Sequence, residues 1–229
     1  MPSQNPGIFR DFAESQNVNF IEIDLHAGDK IPDLKDFDGL WVMGGSMNVW
    51  EEDKYPWLIE EKLAIRYAVE DLKMPFLGIC LGHQLLAVAM GGKAIDTGRY
   101  EVGLFEIEPT EEGLNHPLLQ NLKDSEKWVN AHLVEVIEAP ENAIILATSE
   151  HCQNHVMQLG ENAYSCQFHP EVCSHTLDGW MKIPGVPDFF DELSANGIDD
   201  LTSSITENLD VNNRASSVLF ENWCNLVFN

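Results

Sequence analysis

One short stretch limits the possible folds of this chain more than any other. An apolar run at 75–79 ends at Cys80, Gly78 and Gly82 flank the cysteine, and a helix-like segment follows at once. A sharp strand-to-helix turn needs this pattern, because the glycines allow the close packing that pushes the middle side chain out over the edge of a sheet. The free N–H groups of the following helix favour a thiolate there. The stretch therefore predicts a nucleophilic Cys80 at the end of a buried strand.

Short apolar runs alternate with amphipathic ones along the chain, and this alternation predicts an α/β fold. Beyond Glu101 the apolar residues recur mostly every second position, which is typical of strands. The expected strands lie at residues 19–25, 37–43, 76–79, 103–108, 128–136, 144–148, 155–159 and 164–168. The expected helices lie at residues 56–73, 82–90 and about 211–227.

These segments predict a three-layer sandwich, in which a largely parallel central sheet carries helices on both faces. The chain has 229 residues and no convincing linker, so we expect one domain over 1–229. Within it, 174–200 is rich in Pro, Gly and Asp and is predicted to be a lid or insertion, and 201–229 a C-terminal helical segment. Ligands of such sheets bind at the carboxyl ends of the strands, where the site is expected.

Composition excludes several classes of function. The net charge is −25, which disfavours binding to nucleic acid and to anionic membranes. No signal peptide or apolar run of membrane-spanning length is evident, and five irregularly spaced cysteines indicate reduced thiols, so a cytoplasmic protein is expected. His151, Cys152 and His155 lack zinc-site spacing, and we predict no metal and no cofactor.

A second stretch supplies partners for Cys80. His169 and Glu171 are two residues apart, so in an extended segment both side chains face the same way. An imidazole can take the thiol proton, and a carboxylate can hold that imidazole in the right tautomer. The backbone N–H groups of Leu81 and of the turn at Gly45 are candidate donors to an oxyanion. Cys80, His169 and Glu171 are therefore the predicted catalytic residues.

Four segments together resemble the class I (triad-type) glutamine amidotransferases. Residues 78–85 read GICLGHQL and match the family's nucleophile signature, and residues 167–172 read QFHPEV and match its His-x-Glu signature. The glycines at 44–45 resemble its oxyanion loop, and residues 101–103 (EVG) resemble the segment after the nucleophile helix. The resemblance runs from about 37 to 172 and implies that family's fold, with a flavodoxin-like core.

The resemblance implies a glutaminase reaction without metal or organic cofactor. Cys80 attacks the side-chain amide of glutamine and forms a γ-glutamyl thioester, and ammonia leaves for a separate synthase subunit. Gly45 and Leu81 hold the oxyanion through their N–H groups. Gln84 matches a substrate-contacting position of the family, and the backbone near Ala131 and His132 resembles the stretch that grips the amino-acid end of the substrate.

Two departures from the family pattern keep alternatives open. Residues 130–135 read NAHLVE, without the serine and aspartate that many members carry around the histidine, and the N-terminus lacks the usual apolar first strand. A self-sufficient hydrolase of γ-glutamyl amides or peptides would use the same thioester chemistry. A third hypothesis is a non-enzymatic scaffold of the same fold, although a scaffold does not need Cys80, His169 and Glu171 together.

Overall fold

A seven-stranded sheet forms the centre of the computed structural model, which describes residues 6–123, 126–183, 185–193 and 197–228. The strands are β1 (Leu40–Val42), β2 (Phe76–Ile79), β3 (Lys93–Pro109), β4 (Glu126–Glu138), β5 (Ile144–Thr148), β6 (Val156–Leu159) and β7 (Ala163–Cys166). Their order across the sheet is β1-β2-β7-β6-β5-β3-β4. The β1/β2 and β2/β7 pairs are parallel, and the remaining pairs of the described strands are antiparallel.

Helices cover both faces of this sheet. They are α1 (Phe9–Ser15), α2 (Trp57–Arg66), α3 (Leu81–Ala89), α4 (Glu111–Leu114), α5 (Ser174–Trp180), α6 (Val186–Leu193) and α7 (Ile198–Phe228). Helix α2 begins directly after Pro56, whose fixed φ suits a helix start, and continues through a π-helical turn at Tyr67–Asp71. None of the described helices combines the length and apolar character that crossing a membrane requires.

Strand β2 separates two apolar cores. Leu77 and Ile79 belong to the core on the side of α1 and α7, whereas Phe76 belongs to the core on the side of α2 and α3. Successive strand residues point to opposite faces, so a strand that is apolar throughout is expected where both faces are covered. The predicted three-layer α/β fold is confirmed. Its parallel strands form the part that leads into Cys80, and its antiparallel strands match the period-two pattern beyond Glu101.

The strand expected at 19–25 is wrong. Residues 19–24 form no strand in the described structure, and a 3₁₀ turn follows at Leu25–Ala27. An extended segment becomes a strand only by pairing, and β1 pairs with β2 alone among the described strands. An open groove of about 1210 Å³ is lined by this segment on one side and by β1 on the other. Ile21 and Ile23 consequently stay partly exposed.

The segment after β7 forms a third apolar cluster, outside the two cores of the sheet. We call α5, α6 and the first part of α7 (residues 198–209) the cap. Its buried members pack with two residues next to the predicted site, and the cluster comprises Val129, Val172, Leu177, Trp180, Phe190, Leu201, Ile205 and Leu209. Helices thus make up most of the described part of 174–200, and Pro184 and residues 194–196 of the predicted lid lie outside the described residues.

Candidate active site

Cys80 lies at a strained turn between β2 and α3. Its φ of 51° and ψ of −103° fall in a region that non-glycine residues rarely adopt, which costs about 1–3 kcal/mol. The flanking glycines make the turn possible. A Cβ at Gly82 would lie 2.0 Å from the carbonyl oxygen of Val42, and one at Gly78 would lie 2.7 Å from the carbonyl oxygen of Gly82. The predicted strand, elbow and helix are confirmed, and the N-terminus of α3 begins directly after the sulfur.

His169 and Glu171 form a buried pair beside Cys80. The Nδ1 of His169 donates to Oε1 of Glu171 over 2.7 Å, and the backbone N–H of His169 donates to the carbonyl of Val129 in β4. Burial by itself lowers the pKa of His169. The charges of Glu171 and of Cys80, with hydrogen bonds to both side chains, outweigh burial and raise this pKa to about 10. The arrangement therefore favours a protonated His169 at neutral pH.

The glycine turn after β1 packs against both of these groups. A Cβ at Gly44 would lie 3.0 Å from Cε1 of His169 and 3.6 Å from Cβ of Cys80. A Cβ at Gly45 would lie 2.4 Å from Cδ2 of Leu81. The backbone N–H of Leu81 belongs to the first turn of α3, where N–H groups have no partner within the helix. The two predicted oxyanion donors thus come from segments that meet next to the sulfur.

The residues predicted to bind substrate lie close to this site but are partly engaged with protein. The side-chain amide of Gln84 donates to the carbonyl of Val134 over 3.0 Å and to Oε1 of Gln167 over 3.2 Å. Ala131 and His132 follow Val129 along β4, and the carbonyl of Val129 accepts a hydrogen bond from the backbone N–H of His169. The imidazole of His132 is buried away from solvent, so at this position the backbone remains the candidate for substrate contact.

A buried network centred on Glu101 was not predicted from the sequence. The Nε2 atoms of His132 and His155 donate to one oxygen of this carboxylate over 3.1 and 2.8 Å, and the hydroxyl of Ser149 donates to the other. Burial raises the pKa of Glu101, but these hydrogen bonds outweigh it and hold the pKa well below its usual value. The pattern could not reveal the network, because it joins two strands, β3 and β4, to the connection between β5 and β6.

The same three side chains are the set that could hold a metal in the described part of the chain. The ligand atoms of Glu101, His132 and His155 lie within 4.8 Å of one another, and zinc accepts such donors. Hydrogen bonds among the network's own members already use both carboxylate oxygens. We therefore interpret the cluster as a network that fixes β3 and β4 against the start of β6. His151 and Cys152, considered with His155 from the sequence, are not ligands in this set.

A second residue beside the site also escaped the sequence analysis. The ring of Trp180, at the end of α5, lies with its centroid 4.9 Å from that of His169 at an interplanar angle of 73°. The sequence signal was weak, since Trp180 stands in a stretch rich in Pro and Gly that predicts a loop. The contact of Trp180 with His169 depends on how the cap packs against the sheet, which the local sequence does not indicate.

The sequence of this chain is similar to those of known proteins. The profile of the family described as glutamine amidotransferase class-I matches residues 5–181. One subunit of the glutamine-hydrolyzing GMP synthase of Sulfolobus acidocaldarius is 37% identical over 150 residues, which cover 65% of this chain and 74% of that protein. The glutamine amidotransferase-like protein YfeJ of Salmonella typhimurium is 31% identical over 183 residues, covering 78% of this chain and 76% of that protein.

A solved structure extends the likeness over nearly the whole chain. The crystal structure of a glutamine amidotransferase from Thermotoga maritima superposes with a TM-score of 0.84 at 25% identity, and the match covers 97% of this chain and 94% of that one. The family profile covers well over half of the chain, including both signature segments. The chain therefore belongs to the class I glutamine amidotransferase family.

Proposed function

We propose that the protein hydrolyses the side-chain amide of glutamine to glutamate and ammonia, and that the ammonia passes to a separate synthase subunit. The observation that carries this proposal is the strained Cys80 at the start of α3, next to a His169 that Glu171 holds over 2.7 Å. A strained nucleophile beside a buried, oriented imidazole is the arrangement that nucleophilic acyl transfer requires.

In the proposed first step, the thiolate of Cys80 attacks the amide carbon and forms a carbon–sulfur bond. The carbonyl oxygen becomes an oxyanion, which the N–H groups of Gly45 and Leu81 stabilise. His169 gives its proton to the amide nitrogen, the carbon–nitrogen bond breaks, and ammonia leaves behind a γ-glutamyl thioester. Glu171 stabilises the imidazolium before this transfer and orients the ring throughout.

In the second step, a water molecule replaces the sulfur. His169, now neutral, takes a proton from the water as its oxygen attacks the thioester carbon. Glutamate leaves and Cys80 regains its thiolate, so the imidazolium–thiolate pair is restored without any outside reactant. Gln84 is proposed to contact the substrate, and the backbone at Ala131 and His132 to hold its amino-acid end, during both steps.

The proposed transfer of ammonia rests on the kind of relative that the chain resembles. The protein from Sulfolobus acidocaldarius is named as one subunit of a glutamine-hydrolyzing synthase, and its match covers most of both chains. A protein of this kind is expected to hydrolyse glutamine weakly alone and faster with its synthase. The partner is defined by its chemistry, as an enzyme that consumes ammonia at an electrophilic carbon.

The experiment combines labelling with turnover. The chain is treated with a glutamine-analogue electrophile, the labelled residue is identified by mass spectrometry, and ammonia release from glutamine is measured. Label should appear on Cys80, and Cys80→Ala should lose both label and turnover, the latter by about 10⁶-fold. Cys173→Ala is the matched control, because Cys173 is a free, half-buried cysteine that should leave both unchanged. Equal labelling of the two variants would refute the assignment.

A further inference from the structure

The cap lies directly beside the predicted site. Helix α5 begins at Ser174, shortly after Glu171, so the chain passes from the site directly into the cap. Val172 and Val129, which flank the site, are buried in the same apolar cluster as the cap residues. Cys80, His169 and Glu171 are 5%, 5% and 3% exposed. The cap thus contributes to a closed site and is not a separate appendage.

Trp180 of the cap contacts His169. Its ring meets the imidazole in an edge-on contact, with 4.9 Å between centroids, and is itself only 6% exposed. Trp180 also contacts Phe190 of α6, with 6.1 Å between centroids. A buried ring in contact with both neighbours would lose these contacts and leave a cavity in the cluster if it changed rotamer. Trp180 therefore holds a fixed position.

The backbone at Gly44 restricts the space around His169 as well. A Cβ there would already lie 3.0 Å from Cε1 of the imidazole. The imidazole is therefore bounded by backbone at Gly44 and by the indole of Trp180. A substituent on a substrate atom that contacts His169 would come close to the backbone at Gly44 or to the indole of Trp180.

The leaving nitrogen is the atom that this restriction concerns. In the proposed mechanism His169 delivers a proton to that nitrogen, so the nitrogen must approach the imidazole within hydrogen-bond distance. A primary amide brings only hydrogens to this place, whereas an N-substituted γ-glutamyl amide brings carbon atoms. We propose that Trp180 is a specificity-determining residue, which limits the substrate to unsubstituted primary amides. This inference rests on the proposed function, and it disfavours γ-glutamyl peptides as substrates.

The first test measures selectivity. The kcat/KM of glutamine is compared with those of γ-glutamyl methylamide, isopropylamide and anilide, in the parent chain and in Trp180→Ala, Trp180→Phe and Leu209→Ala. Trp180→Ala should raise the anilide-to-glutamine ratio by at least about 10-fold, the range in which a pocket discriminates by size, and Trp180→Phe should fall between. Leu209 is buried in the same cluster but belongs to α7 rather than to the helix that carries Trp180, so Leu209→Ala controls for loosening of the cap.

A change of the ratio in Trp180→Ala alone supports the proposal. A ratio that stays at the parent value, or that rises equally in Leu209→Ala, overturns it. A general loss of stability would lower turnover of all four substrates together and leave their ratio unchanged, so this readout separates selectivity from folding.

A second test does not depend on hydrolysis. Rates of Cys80 alkylation by iodoacetamide and by N-phenyl iodoacetamide are followed by peptide mapping, which separates Cys80 from the four other cysteines. Trp180→Ala should raise the relative rate of the larger reagent, and Leu209→Ala should not. If no variant hydrolyses any amide, the proposed function is wrong. The ratio of the two alkylation rates still shows whether Trp180 restricts access to Cys80. An unchanged alkylation ratio refutes that role even in an active enzyme.

Discussion

The elbow at 78–82 and the cap both border His169, but different forces hold them in place. At the elbow, backbone atoms limit the size of the side chains, since a Cβ at Gly82 would lie 2.0 Å from the carbonyl oxygen of Val42. The cap is held by apolar side chains, and cores of that kind accept other residues of similar volume. Backbone limits fix residue identity, whereas apolar packing fixes only volume. The elbow can consequently be recognised in the sequence as a motif, whereas the cap cannot.

The largest effect expected from this contrast is that of Gly82→Ala. The added Cβ collides with backbone that is part of β1, so either the strand or the turn must shift, and we expect a loss of about 4–5 kcal/mol in the free energy of unfolding together with all activity. Gly98→Ala is the control, because its φ is +71° but nothing lies within 4 Å of the new Cβ. Strain alone should cost about 1–2 kcal/mol there. Urea unfolding measures both, and similar losses would contradict the backbone argument.

The sequence was sufficient to predict the elbow and the pair of residues after β7 for a physical reason. The turn needs glycine at positions 78 and 82, and a cysteine nucleophile needs a base close to it. Local chemistry therefore restricts which residues these positions can carry. The strand expected at 19–25 failed because pairing depends on a neighbouring strand, which a local pattern does not report. The Glu101 network was not predictable either, since its members come from distant segments.

Glu171→Gln is expected to have the next largest effect. The amide keeps the size of the carboxylate and can still accept from Nδ1, but it removes the charge that stabilises the imidazolium. We expect a loss of between about 10²- and 10⁴-fold in kcat with an unchanged fold. Glu135→Gln is a matched control, because Glu135 is also buried but pairs with Arg99 rather than with His169. Steady-state ammonia release measures both variants, and a silent Glu171→Gln would mean that another group orients His169.

The pKa of His169 gives a related, smaller effect with a definite sign. The pKa is about 10 in the folded chain against 6.5 for an ordinary histidine, so the folded state binds more protons between these values. The resulting stabilisation is complete below about pH 6.5 and is lost as the pH rises through 10. Glu171→Gln removes a charge that raises the pKa, so NMR titration of the His169 imidazole should give a lower value in that variant. Titration of the parent His169 near pH 6.5 would contradict the ion-pair interpretation.

Part of the cap was within reach of the sequence. Helix α7 begins at Ile198, well before the predicted start near 211, and Ile198, Leu201, Ile205 and Leu209 recur at helical spacing among polar residues. That periodicity predicts an amphipathic helix, but not the surface on which its apolar face lies. The contact between Trp180 and His169 depends on that surface. Volume and periodicity are therefore enough to predict a helix and insufficient to predict a wall of the active site.

The smallest expected effects come from removing one methylene in each region. Ile79→Val, next to Cys80, and Ile205→Val, in the cap, each change a fully buried residue and should each lower the free energy of unfolding by about 1 kcal/mol. Their effects on catalysis should differ. Ile79 supports the strained turn, so a slight shift of the sulfur should lower kcat by roughly 3- to 10-fold, because small misplacements of reacting groups are costly. Ile205 supports only packing, and its kcat should stay within about 2-fold of the parent value. Parallel urea unfolding and kinetics on the two variants test this, and equal losses of kcat would mean that the cap controls the geometry of the nucleophile as strongly as the elbow does.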